Sequence, residues 1–412
     1  MILTFFAWNL YSLPALIAGF RNLTKKKKHY SKASKIDPIK LPIVSIIIPA
    51  KNEEKVIQRL LKCLLNFNYP KSKMEIIVVD DNSTDRTFEL CKEIANKMSH
   101  RIKVLKRLES STKAAALNYG LKFAKGDIIA NFDADSLPES DALINAIKYF
   151  NDPKVAGVQG IIYSSNPDEN MLTKFLSLER SIQYEIYQNG KDSLGLFVSL
   201  NGTCQFIKKP ILEELGGWNE KNLAEDMELS LRLAEKNYKI KHALDVKTHE
   251  ESPNNISGML KQRTRWFRGN MENMIKFGRL LKKPANKIRL DAEIQLLGNL
   301  IAILCVFNYI MAYWTFTLPV DQFLVAIMYI TSFLMLFVLA IAGLSLVILS
   351  KPIKPTNILW LPFIYGYWAL QSFIALNAVF LIIIRHPIKW SKTKRSGIIT
   401  SQKALNIISS VN

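Results

Sequence analysis

Apolar positions along the chain fall into three regimes. Residues 1–20 (MILTFFAWNLYSLPALIAGF) carry no charged side chain before Arg21. Residues 30–290 mix short apolar runs with helix-periodic stretches, and long apolar runs return at 293–318, 322–350 and 358–384. Each of the long runs has the length of a helix that crosses a bilayer. The pattern predicts a transmembrane anchor over 1–20, a folded domain over 40–275, transmembrane helices over 290–385 and a basic tail over 386–412.

Inside the folded domain, IVSIII (43–48) is a short apolar run ending at Pro49, which reads as a buried strand. Val56, Ile57, Leu60, Leu61, Leu64 and Leu65 then recur at helical spacing. MEIIVV (74–79) is a second strand, ending at Asp80-Asp81, and NSTD after it offers Ser83, Thr84 or Asp85 as a helix cap. Ile102–Leu105 is a third strand, Ala114–Phe123 a helix and Asp127–Phe132 a fourth strand. This alternation predicts an α/β domain with a parallel sheet. Such sheets bind ligands at the carboxyl ends of their strands, where Asp80-Asp81 and Asp133-Ala134-Asp135 fall. Folding needs no acids there, and like charges so close are costly unless a cation or a donor answers them.

Charge refines the membrane picture. The chain holds 55 Lys and Arg against 35 Asp and Glu, a net charge of +20. Much of the excess flanks the apolar segments, at Lys25–Lys28 and from Arg385 to Arg395. Positive charge of this kind places residues 21 onward, and the tail, in the cytoplasm of a multi-pass cell-membrane protein. Three simple spans after residue 290 would put the tail outside, so the span count stays open. One stretch lies along the interface or re-enters, near Pro319 or Pro362. Membrane lipid answers this charge, and no nucleic-acid motif is present. Cys63, Cys91, Cys204 and Cys305 are scattered, which excludes a zinc motif or a disulfide framework. His249-Glu250 reads as local packing or hydrogen bonding.

Four segments carry candidate chemistry. Asp133 and Asp135, one residue apart after a strand, suit a divalent cation and a diphosphate, or else a turn. Asp80 to Asp85 suits a base or ribose, or else a capped loop. Glu225 and Asp226 open a helix over 225–236, where acids also complement the helix dipole. Gln262-Arg263-Thr264-Arg265-Trp266 sets Gln262 and Trp266 on one helical face. Arginine clamps phosphate and tryptophan stacks on sugar, but the same segment suits an interfacial amphipathic helix.

Taken in order, VSIIIPAKNEE (44–54), VVDDNSTDRT (78–87), KAAALN (113–118), DAD (133–135), NGT (201–203), GGW (216–218), AED (224–226) and QRTRW (262–266) resemble family 2 glycosyltransferases. The likeness is greatest to membrane-integrated processive synthases of cellulose, hyaluronan, chitin-like and poly-N-acetylglucosamine polymers, and covers about residues 40–275 with the flanking segments. It implies a GT-A fold with flanking transmembrane helices, and inverting transfer from a UDP-sugar (N-acetylglucosamine or glucose) to a growing polysaccharide. Glu53, Asp81, Lys113 and Asp133 would meet the donor nucleotide and its phosphates. Asp135, with Asp133, would hold Mg²⁺ or Mn²⁺. Asp226 would be the general base. Glu225, Gln262, Arg263, Arg265 and Trp266 would serve the acceptor and the leaving diphosphate.

The chain departs from the family at Ala224, often threonine, and at Ala114-Ala115, often Ala-Gly or Pro-Gly. Lipid-glycosylating enzymes show similar motifs, and NGT with EDM (225–227) resembles GDP-mannose-using mannan-type synthases. The alternatives are therefore a single-addition glycolipid synthase and a mannan-type synthase. The acceptor, glycan or lipid, stays open. A polymer conduit would need more helices than these, from a second copy or an accessory membrane subunit. The tail segment Trp390-Ser391-Lys392-Thr393-Lys394-Arg395 is similar to gating segments of such synthases, which fold back over the donor pocket.

Overall fold

The computed structural model describes residues 2–25, 41–97, 101–109, 111–278, 286–315, 321–349, 356, 359, 361–386 and 395–410. The basic residues 26–28, Pro319, Lys351, Lys354 and tail residues 390–394 lie outside them.

In chain order the first elements are α1 (Ile2–Lys25), β1 (Val44–Ala50), α2 (Ile57–Leu65), β2 (Met74–Asp81), α3 (Thr87–Lys97), β3 (Ile102–Arg107), α4 (Lys113–Leu121) and β4 (Ile128–Asn131). Next come β5 (Leu137–Pro138), α5 (Ala142–Ile147), β6 (Val155–Ser164), α6 (Met171–Ser181), α7 (Asn189–Ser193), β7 (Gln205–Lys208), α8 (Lys209–Glu214), α9 (Glu225–Glu235) and β8 (Lys239–Glu250). The remainder is helical: α10 (Ile256–Phe277), α11 (Lys287–Thr315), α12 (Gln322–Leu349), α13 (Leu361–Ile383) and α14 (Gln402–Ser409). These elements divide into two units. A sheet unit takes residues 27–180, 197–259 and 388–412, and a helical unit takes 1–26, 181–196 and 260–387.

The sheet unit holds eight strands in the order β3-β2-β1-β4-β7-β6-β8-β5. β1 is buried along its whole length and pairs in parallel with β2 and β4, while β2 pairs in parallel with β3. This half is the predicted α/β alternation. The expected all-parallel sheet is corrected beyond it, because β7 runs antiparallel to both β4 and β6. β7 is only QFIK, too short and too polar at its ends to register in the apolar pattern. The core joins Ile47, Ile77 and Val79 of the strands to Leu117 of α4 and Leu229 and Leu233 of α9. The helix-periodic residues Ile57, Leu60, Leu61 and Leu64 of α2 are buried as their spacing demands.

The expected membrane segments fall within the helical unit. Among the described residues, no helix is long and apolar enough to cross a membrane. Polar groups of α1, α7 and α11 pair with one another inside the unit. Lys191 pairs with Asp291 at 2.9 Å, both side chains buried, and the Tyr11 hydroxyl donates to the same carboxylate at 2.8 Å. Close helix contact also rests on glycine: a Cβ on Gly19 would stand 1.9 Å from the Ile186 carbonyl oxygen. α10 packs Met271 against Ala375 and Ala378 of α13. Outward-facing side chains of α12 and α13, among them Phe323, Tyr329, Phe333, Phe380 and Ile383, are large, apolar and exposed.

Candidate active site

The acids at the strand ends sit on short loops that bond to one another. After β1, Asn52 adopts φ 53, and its amide donates to Ser83 Oγ at 2.9 Å while its side-chain oxygen accepts from Thr84 N at 2.8 Å. The Glu53 amide donates to Thr87 Oγ1 at 2.7 Å, which fixes Glu53 against the loop after β2. Asp85, one of the three residues predicted to cap α3, accepts from Thr87 N at 3.0 Å. Asp80 and Asp81 are both buried. Burial raises the Asp80 carboxyl above the usual range, and one of its oxygens has no hydrogen-bond partner among the described residues. Asp81 is answered by Arg107 at 2.5 Å, a cation the sequence reading did not single out.

Lys113 opens α4, whose first turn is capped by the Thr112 hydroxyl accepting from Ala115 N. Its ammonium lies 2.5 Å from Asp133 Oδ1 and donates to the Gly202 carbonyl at 2.8 Å. Asn131, at the end of β4, donates to that same carbonyl. Gly202 sits at φ +80, and a Cβ there would meet both Asp226 Oδ2 and Lys113 Nζ at 3.2 Å. The NGT turn thus gathers Lys113, Asp133 and Asp226 around one backbone position. Burial alone would lower the Lys113 pKa, but Asp133, Glu225 and Asp226 together raise it, so the ammonium stays charged.

Asp226 lies in the first turn of α9, with Oδ1 accepting from Met227 N at 2.8 Å and Oδ2 turned toward Gly202. Glu225 beside it is buried. Asp133 is held from behind, since its amide donates to Thr203 Oγ1 at 3.1 Å. Ser136 contacts the same hydroxyl and donates to Glu250 Oε1 at 2.7 Å. Burial, then Asp135 and Asp133, push the Glu250 carboxyl up to about 7. The neighbouring His249 stacks on Tyr163, so packing and hydrogen bonding account for both residues, as their sequence suggests. Asp135 is buried, and its Oδ2 accepts from Glu251 N and pairs with Arg395 Nη2, each at 3.1 Å.

The donor set suits a hard divalent cation. Both candidate ligands are carboxylates, and among the described residues no group of three or more acidic, histidine or cysteine side chains forms a cage of its own. Mg²⁺ is commonly held this way, by one or two carboxylates and the oxygens of a substrate phosphate.

Gln262, Arg263, Arg265 and Trp266 lie on α10, within the helical unit. Gln262 is buried there, and the Arg263 guanidinium stacks 4.6 Å over the Trp266 ring and 6.0 Å from that of Tyr367. The predicted nucleotide, metal and base residues, with Glu225 of the acceptor and diphosphate set, thus belong to the sheet unit, while Gln262, Arg263, Arg265 and Trp266 belong to the helical unit.

A sequence model described as Glycosyl transferase family 2 matches residues 45–216, which include Glu53, Asp81, Lys113, Asp133, Asp135 and the NGT turn. Residues 45–216 are thus similar to a family 2 glycosyltransferase domain. The chain is 35% identical to the probable glycosyltransferase YdaM of Bacillus subtilis over 271 residues, 65% of this chain and 64% of that protein. It is also 35% identical to a beta-monoglucosyldiacylglycerol synthase of Nostoc over 63% of this chain and 54% of the relative. The chain therefore spans less than two thirds of the length of these curated relatives. Among solved structures, the mannosyltransferase PcManGT from Pyrobaculum calidifontis, in complex with GDP-Man and Mn²⁺, shares the fold at a TM-score of 0.60 and 22% identity. That likeness covers 94% of this chain and 99% of the other.

Proposed function

We propose that the protein is an inverting glycosyltransferase that moves a sugar from a nucleoside-diphosphate donor to a lipid acceptor. The observation that carries this reading is the convergence of Lys113, Asp133 and Asp226 on the Gly202 turn. An inverting displacement needs one base on the acceptor side and positive charge on the leaving side. Asp226 takes the proton of the acceptor hydroxyl as its oxygen bonds to the anomeric carbon. The bond from that carbon to the diphosphate breaks, and the nucleoside diphosphate leaves with the electron pair. Lys113 lies where it steadies the leaving phosphate, and Glu53 and Asp81 serve the nucleoside. Asp133 and Asp135 would hold Mg²⁺ or Mn²⁺, which would neutralise diphosphate charge. Arg263, Arg265, Gln262 and Trp266 keep the roles that the family resemblance gives them, toward the diphosphate and the acceptor sugar.

Identity to a glucosyldiacylglycerol synthase supports the lipid acceptor. The exposed apolar side chains of α12 and α13 support contact with membrane lipid, since a monomer rarely leaves so large a patch bare to water. The basic segments beside them support a cytoplasmic catalytic unit at the cell membrane. Extension of a polysaccharide from a UDP-sugar is the second reading, favoured by the QRTRW segment on α10. GDP-mannose is a second donor to try, because the structural relative carries it. Membranes containing the protein, given labelled UDP-glucose, UDP-N-acetylglucosamine or GDP-mannose with Mn²⁺, test both readings. Label extracted into organic solvent is expected. High-molecular-weight, water-soluble product would overturn the lipid acceptor, and no transfer from any donor would overturn the activity.

A further inference from the structure

The C-terminal segment reaches the metal carboxylate by a series of specific contacts within the sheet unit. Ala404 of α14 is fully buried beside Cys63 of α2 and Leu137 of β5, two residues beyond Asp135. Ahead of the helix, Thr400 N and Ser401 N both donate to the Ser165 carbonyl at 3.0 Å. The Asp168 amide donates to Thr400 Oγ1 at 2.9 Å. The Glu251 carboxylate then accepts from Ser396 N at 2.5 Å and Gly397 N at 2.9 Å, and the Gly397 carbonyl accepts from Arg59 at 2.9 Å. This brings Arg395 onto the site, with Nη1 donating to the Glu251 carbonyl and Nη2 on Asp135 Oδ2.

The guanidinium and a divalent cation would therefore compete for the Asp135 carboxylate. Arg395 carries a fixed positive charge, and its surroundings are acidic: Asp135, Glu53, Glu250 and Asp133 all favour its charged form against the effect of burial. A cation already satisfies the Asp135 carboxylate, so an incoming metal must displace it. Its reward is larger when a donor diphosphate arrives with it, because phosphate oxygens then complete the coordination and can also receive the freed guanidinium.

We infer that Arg395 is a resident counter-cation of Asp135, which the divalent metal displaces when it binds with the donor, so that metal loading releases the C-terminal segment from the site. This rests on the proposed role of Asp135 in metal binding. The similarity of residues 390–395 to gating segments implies cover over a donor pocket, not competition for a metal ligand. The consequence is ordered loading, in which the metal alone binds poorly and the metal with a nucleoside diphosphate binds well. If the pair is formed in roughly nine-tenths or more of the molecules, it weakens the apparent metal affinity about tenfold or more.

The test is Mn²⁺ binding to the full-length protein, followed by the electron paramagnetic resonance of free Mn²⁺, with and without UDP or GDP. Wild type should bind Mn²⁺ weakly alone and more tightly with the nucleotide. Arg395→Met should bind Mn²⁺ about tenfold more tightly alone. Glu251→Gln, which weakens the anchor of residues 396 and 397, should shift affinity in the same direction by a smaller factor. Hydrogen exchange of the wild type reports separately: the Ser396 and Gly397 amides should exchange faster when Mn²⁺ and nucleotide are added together. Unchanged or weaker Mn²⁺ binding by Arg395→Met, with nucleotide-dependent binding intact, overturns this inference alone. No Mn²⁺ binding by any variant, even with nucleotide, overturns the reading of the metal site as well.

Discussion

Lys113 Nζ lies 2.5 Å from Asp133 Oδ1 and also donates to the carbonyl of Gly202, the residue that faces Asp226. One cation thereby links the carboxylate assigned to the metal with the turn that faces the proposed base. Replacing it with methionine strips the positive charge from the leaving side and leaves Asp133 unanswered. Lys113→Met should lower kcat about 10²- to 10³-fold, the scale for loss of one preorganised charge-stabilising group. Lys113→Arg should recover part of that loss. Initial rates at saturating donor provide the measurement.

Gly202 supplies a second test. Its φ of +80 disfavours any side chain, and a Cβ would press on both Asp226 and Lys113 at 3.2 Å. Gly202→Ala should lose about 1–2 kcal/mol of stability from backbone strain. Transfer should fall further than unfolding explains, because the two functional groups are pushed apart. Thermal unfolding measured beside specific activity separates the two effects.

Glu250 predicts a pH dependence of stability. Burial, with Asp135 and Asp133, raises its folded pKa to about 7, above the usual 4.5. Its proton is held more tightly in the folded state, so the associated stability is complete below about pH 4.5 and lost as pH rises through 7. Glu250→Gln keeps an acceptor for Ser136 without the buried charge. Its Tm should match wild type near pH 4.5 and exceed it increasingly up to pH 8. The gain at high pH is bounded at roughly 3 kcal/mol. A Tm difference that is flat with pH would contradict this assignment.

Much of the site was legible because its chemistry conflicts with its position. Asp81, Asp133 and Asp135 stand where apolar strands end, and only a ligand or a cation explains acids there. Three of the first four strands, β1, β2 and β4, were legible because burial along their length demands apolar runs. β7 was not, since its four residues, Gln205–Lys208, follow a polar turn and carry no period. Arg107 and Arg395 answer buried acids from positions 26 and 260 residues away in the chain, a pairing no local pattern encodes. Glu250-Glu251, at the end of β8, follows the same acids-at-a-strand-end rule and offered a signal that pointed to both residues. Apolar length predicted membrane segments, and among the described residues no helix is long and apolar enough to cross a membrane.

Asp226 is the residue on which the account turns, and its isosteric amide is the most direct probe. Asp226→Asn keeps an oxygen for the Met227 amide while removing the capacity to take a proton. Steady-state transfer by this variant should fall about 10²- to 10⁴-fold in kcat, the range expected for loss of a general base, with Mn²⁺-dependent nucleotide binding unchanged. Turnover equal to wild type would contradict the assignment of Asp226 and the single-displacement mechanism built on it.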